Sequence, residues 1–110
     1  MNTEQCIQAC LQCMLDCEVC LNEMSGMMSH NDCPRCCREC ADICHSCATA
    51  MARNSRYMRH YCALCAEICD WCAEQCQSHP HDHCLRCAES SRECAEACRE
   101  MVAALAVEQY

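Results

Sequence analysis

Cysteine recurs along this chain at alternating intervals of three and four residues, in four separate blocks, and few backbone conformations can make use of such a spacing. The first block is Cys6, Cys10, Cys13, Cys17 and Cys20; the second is Cys33, Cys37, Cys40, Cys44 and Cys47, with Cys36 standing beside its stripe. The third is Cys62, Cys65, Cys69, Cys72 and Cys76, and the fourth, Cys84, Cys87, Ser91, Cys94 and Cys98, keeps the same phase with one Ser in a Cys position. Alternating steps of three and four average half a heptad, which holds every member on one face of an α-helix. A strand would need steps of two, and a zinc ribbon would need paired knuckles separated by loops. Each block therefore reads as one helix with a thiol face.

Capping and breaking residues place the ends of these helices. Asn2 with Gln5 makes a capping box, and Gly26 supplies a stop. Asp32 ahead of Cys33 and Pro34 reads as an N-cap with Pro in the first turn, while Asn54 and Ser55 separate the second helix from the third. The segment Ser78-His79-Pro80-His81-Asp82 interrupts again, with Asp82 able to cap the fourth helix. The expected helices are 3 to 25, 33 to 52, 56 to 77 and 83 to 107, each roughly 30 to 37 Å long at about 1.5 Å per residue. Matched lengths and short connections predict an all-α, antiparallel up-down-up-down four-helix bundle with a Cys-lined core, a single domain over residues 1–110. A second apolar stripe, Ile7, Leu11, Met14 and Leu21 on the first helix and Tyr61, Leu64, Ile68 and Trp71 on the third, either seals the helix seams or forms a subunit interface.

A short chain with 20 Cys in 110 residues would ordinarily be read as a secreted disulfide scaffold. Two features oppose that reading. The N-terminus lacks the basic start and apolar run of a signal peptide, and no stretch is long and apolar enough to cross a membrane. The expected location is therefore the cytoplasm, where thiols stay reduced. Neighbours three or four apart on a helix also project nearly in parallel, which suits a relaxed disulfide poorly. The formal charge of -8 speaks against nucleic acid or an anionic membrane as partner. Neither a Gly-rich phosphate loop nor a defined nucleophile-base pair is present, and iron-sulfur sites usually come from loop motifs whereas this chain spreads its thiols along entire helices, so no enzymatic activity is expected.

Cys packs well as a small hydrophobe, but Ala, Val or Leu would fill a core without the hazard of oxidation. Metal ligation uses what Cys alone offers. Thiolates at i and i+4 can close on one small ion from either side, and soft sulfur donors select Cu(I). Charge then discriminates between metals, because a dry, filled core should be close to neutral. One Cu(I) per thiolate achieves this, whereas four thiolates around Zn(II) leave a formal -2. On the order of 20 Cu(I) per chain follows from that balance.

The repeated C-x-x-x-C pairs on four helices, as in Cys6-Ile7-Gln8-Ala9-Cys10 and Cys72-Ala73-Glu74-Gln75-Cys76, resemble the bacterial copper storage proteins, and the likeness spans nearly the whole chain. The lack of a visible export signal makes it similar to their cytosolic branch. The resemblance implies Cu(I) storage and buffering, a homotetramer, a fold formed before metal arrives, and ligation by every stripe Cys, with Cys36 less securely placed. Ser91 departs from the pattern and should leave a local gap, since a neutral hydroxyl is a poor donor to a soft ion. In an up-down-up-down bundle one end gathers Met24, Met27, Met28, His30, His79, His81 and His83, candidates for metal admission. The same Met residues could simply cap the core and the same His residues could decorate loops. A copper donor or acceptor is the expected partner. The alternative function is a broad soft-metal (Zn, Cd, Ag) sequestration protein resembling metallothionein in purpose.

Overall fold

The computed structural model describes residues 2–108, and its helices begin and end where local chemistry directs. The first, α1 (Thr3–Glu23), starts with the expected capping box: the Gln5 amide N–H donates to Asn2 Oδ1 at 2.8 Å, and the Asn2 amide donates to Gln5 Oε1 at 2.9 Å. It stops two residues short of the expected end, and Gly26 then turns the chain at φ 82°.

The second helix, α2 (Arg35–Ala52), begins two residues later than expected. Pro34 takes the cap position, with Cys33 in the turn that precedes the helix. The Asp32 side chain does not cap; its backbone carbonyl accepts from the Cys36 N–H at 2.9 Å instead. At the other end Asn54 adopts φ 55°, Ser55 N–H donates to the Ala50 carbonyl and Asn54 N–H to that of Met51, which is a Schellman closure with Asn at the left-handed position. The third helix is α3 (Met58–Gln77) and the fourth α4 (Asp82–Glu108). Asp82 lies inside the first turn of α4, where its charge meets the positive end of the helix dipole, and the His81 carbonyl accepts from Leu85 N–H at 3.0 Å.

Each helix packs against its neighbours in the chain, and α4 closes the ring against α1. Sulfur pairs across the seams reveal the direction of each helix. Along α1 and α2, Cys13 meets Cys40 and Cys20 meets Cys33; along α2 and α3, Cys40 meets Cys69 and Cys47 meets Cys62. Along α1 and α4, Cys6 meets Cys98 and Cys20 meets Cys84, so every adjacent pair is antiparallel. The rod measures 48 × 20 × 18 Å. No strand occurs among the described residues, and none of their helices is long and apolar enough to cross a membrane.

The core contains Cys with small companions, among them Ala41, Ala48, Ala88 and Ala95, and is closed at its ends by Met24, Met51, Met58 and Met101. Of the second apolar stripe, Ile7, Leu11, Met14, Leu21, Tyr61, Ile68 and Trp71 lie half-buried against this core, whereas Leu64 is 47% exposed. Replacing Asn2 by Ala removes one half of the capping box, and the metal-free protein should lose about 1 kcal/mol, measured by chemical denaturation.

Candidate metal centre

All twenty cysteines are free thiols, and none exposes more than 1% of its surface. The 3-4 repeat produces this placement directly, because it keeps one stripe of each helix on the bundle axis. Sulfurs from different helices then approach within 3.5–4.0 Å, as in Cys40 to Cys69 at 3.5 Å, Cys17 to Cys87 at 3.6 Å and Cys10 to Cys94 at 3.6 Å. Several sets of four have all sulfurs within 4.8 Å of one another, including Cys10, Cys47, Cys65 and Cys98, and Cys13, Cys40, Cys44 and Cys69. Such a lattice lets one sulfur serve two neighbouring ions.

Two positions that stood apart in the sequence resolve here. Cys36 is fully buried, with its Sγ 3.8 Å from that of Cys76. Ser91 is fully buried as well, its Oγ 3.5 Å from Cys13 Sγ and 3.9 Å from Cys40 Sγ, so a hydroxyl occupies the slot where the pattern would place a thiol.

Burial and neighbouring S–H groups pull the thiol acidities apart. At Cys84 burial leads, and the thiol is pushed up to about 11. At Cys87 hydrogen bonds from Cys17, Cys20 and Cys37 lead and hold it down at about 2. Cys13 is likewise held at about 2, with Cys17 the first of its hydrogen-bonding partners, while Cys40, 3.6 Å from Cys13, is pushed up to about 12 with that contact as the leading cause. Protons held by these thiols must depart when metal arrives.

One end of the bundle gathers the expected Met and His residues, in different states. Met24 is 1% exposed and belongs to the core, whereas Met27 is 42% and Met28 95% exposed. Four imidazoles form a row: His30 to His79 at 4.7 Å between centroids, His79 to His81 at 6.3 Å, and His81 to His83 at 5.2 Å. His83 Nδ1 lies 3.5 Å from Cys84 Sγ, joining the row to the sulfur core. His79 is buried, with Nε2 3.0 Å from Asn31 Oδ1 and 3.2 Å from Ser29 Oγ, so it clasps the α1–α2 connection.

A family model described as Csp, copper storage protein, matches residues 1–103. An uncharacterized cysteine-rich protein of Bacillus subtilis (strain 168), YhjQ, is 44% identical over 85 residues, covering 74% of this chain and 79% of its own. Among solved structures, the Cu(I)-bound copper storage protein BsCsp3 is 43% identical with a TM-score of 0.87, over 91% of this chain and 97% of that one. The apo form of copper storage protein 3 from Bacillus subtilis is 44% identical with a TM-score of 0.88, over 92% and 99%. A cytosolic copper storage protein from Streptomyces lividans, with five coppers, is 33% identical with a TM-score of 0.84, over 92% of each chain.

Sequence reasoning missed one polar element beside the sulfurs. Asp16 of α1 and Ser90 of α4 are both nearly buried, and Ser90 Oγ–H donates to Asp16 Oδ2, which also accepts from Gln12 Nε2 at 3.2 Å. Their neighbours Cys17 and Ser91 face the core, so this bond fixes the register of α1 against α4. Asp16→Ala leaves the Ser90 hydroxyl buried without its partner and should cost about 1–3 kcal/mol, measured by denaturation of the reduced protein.

Proposed function

This chain belongs to the copper storage protein family, and from that premise we propose that it stores and buffers many Cu(I) ions as thiolate complexes along the axis of its bundle. The observation that carries this reading is the array of twenty buried sulfurs at bridging separations, drawn from all four helices. Monovalent ions between pairs of thiolates leave the filled interior neutral, which a dry core requires. All twenty Cys are proposed ligands, Cys36 included, and Ser91 leaves one gap between Cys13 and Cys40.

Copper is cargo in this account, taken up and given back without turnover. Admission takes place at the His and Met end: Met27, Met28, His30, His81 and His83 offer exposed or half-buried donors, and His83 leads to Cys84. His79 and Met24 support that end from within, His79 by holding the connection between α1 and α2 and Met24 by packing against the core. A cytoplasmic location, assembly as a homotetramer and a protein donor or acceptor of copper complete the proposal. The sequence expectation of one domain over 1–110 belongs with it.

Anaerobic titration of the reduced protein with Cu(I), followed by gel filtration and metal analysis, should saturate near one ion per Cys, on the order of 20 per chain by charge balance. Saturation at one divalent ion per three or four Cys, with Cu(I) bound no better, would favour the broad soft-metal alternative. Ser91→Cys should raise the Cu(I) capacity by about one ion, because it restores a thiolate beside Cys13 and Cys40.

Proton competition sets the pH dependence. Thiols raised by burial, such as Cys84 at about 11, are protonated at neutral pH and surrender a proton to the ion. Apparent Cu(I) affinity therefore rises with pH below that value and falls in acid. Competition against a Cu(I) chelator of known affinity at about pH 6 and about pH 8 should show tighter retention at the higher pH.

A further inference from the structure

Three cysteines crowd into the five residues from Cys33 to Cys37, and Cys33 alone among the twenty lies outside a helix. The segment Cys33-Pro34-Arg35-Cys36 has the C-x-x-C spacing with which a chain turns around a tetrahedral ion. Cys76, in the last turn of α3, lies against all three: its Sγ is 3.6 Å from that of Cys33, 3.8 Å from Cys36 and 3.6 Å from Cys37. The four sulfurs fall within 4.8 Å of one another. A tetrahedral tetrathiolate with Zn–S bonds of about 2.3 Å has sulfur-to-sulfur edges of about 3.8 Å, which the three edges to Cys76 already match.

Other four-sulfur sets in the core differ in two respects. The sets Cys10/Cys47/Cys65/Cys98, Cys13/Cys40/Cys44/Cys69, Cys20/Cys37/Cys76/Cys87 and Cys44/Cys65/Cys69/Cys94 draw their ligands from the 3-4 stripe, the pattern that suits a continuous run of bridged monovalent ions, whereas Cys36 lies off it. They also sit within the helical rod, where a tetrathiolate carrying -2 would meet the full cost of a buried charge. The Cys33 group lies at an end of the bundle. Three of its ligands precede or open α2, whose N-terminus presents the positive end of the helix dipole, and Arg35 and Arg38 are exposed in the same turn.

We propose that Cys33, Cys36, Cys37 and Cys76 form a tetrathiolate site for one divalent tetrahedral ion, Zn(II), held when copper is scarce. Four thiols lose four protons as four Zn–S bonds form, leaving a formal -2 at the site. Cys37 and Cys76 also belong to the next set inward, with Cys20 and Cys87, so Zn(II) and the incoming Cu(I) compete for the same two thiolates at the admitting end. This goes beyond the storage reading by giving those thiolates a second, different ion.

Anaerobic titration of reduced metal-free protein with Zn(II) should show one tight step of about one ion per chain. Co(II) in its place should give the intense visible bands of a tetrahedral sulfur-ligated ion. Cys36→Ser should abolish the Zn(II) step, whereas Cys10→Ser, which lowers Cu(I) capacity toward the other end, should keep it; circular dichroism confirms that both are helical. Independently of substitution, one equivalent of Zn(II) should protect Cys33, Cys36, Cys37 and Cys76 from alkylation, located by peptide mass mapping. Absence of a tight step, several equivalent zinc ions per chain, equal loss in both variants, or protection of other cysteines overturns the proposal. Cu(I) titration of the unsubstituted protein reports separately on storage, so either reading can fail alone.

Discussion

The structure depends on a balance of charge in a volume that excludes water. Twenty groups that can each become negative line one axis, and a low-dielectric interior cannot hold many uncompensated charges. Protons neutralise sulfurs when the bundle is empty, and burial, which pushes the Cys84 thiol up, expresses that need. Monovalent cations bound between the sulfurs do the same when it holds copper. Exchange of one set of small cations for another keeps the interior near neutral in both conditions.

This constraint also explains the division between the axis and the ends. Along the axis the donors are sulfur alone, apart from the Ser91 hydroxyl. At one end the row from His30 to His83 and the exposed arginines flanking Cys36 gather beside the sulfurs. At the opposite end Met51, Met58 and Met101 pack into the core and present thioether and methyl surface. The two ends are chemically unlike, which gives the rod a polarity that its repeating sequence does not.

Much of this was legible in the residues. Interval arithmetic gave the helices, and the count of thiols on one face gave the core, because burial of a stripe follows from helical geometry alone. The capping box at Asn2 was equally readable, since it depends on two side chains three apart. Other features needed the third dimension. Cys36 looked displaced because a stripe is narrower than the arc that α2 buries while packing against both α1 and α3. Helix periodicity places Asp16 and Ser90 each on its own helix, but cannot say that the two meet. His79 carries the same side chain as His81, and only its contacts with Asn31 and Ser29 reveal it as a clasp. The start of α2 was misplaced because Pro34 stands at its cap, and Asp32 meets the first turn through its backbone carbonyl and not its side chain.

The alanines interleaved with the sulfurs have a role that their inertness conceals. Ala41, Ala48, Ala88 and Ala95 lie in the core beside the thiols, where bulkier side chains would hold neighbouring helices farther apart. Interaxial distance varies by about 2 Å with the size of the residues at the contact, whereas a metal–ligand bond tolerates only about 0.2 Å. Methyl groups that touch no ion therefore act as the gauge blocks of the channel. They set the bore, and with it the radius of the ions that two facing sulfurs can grip.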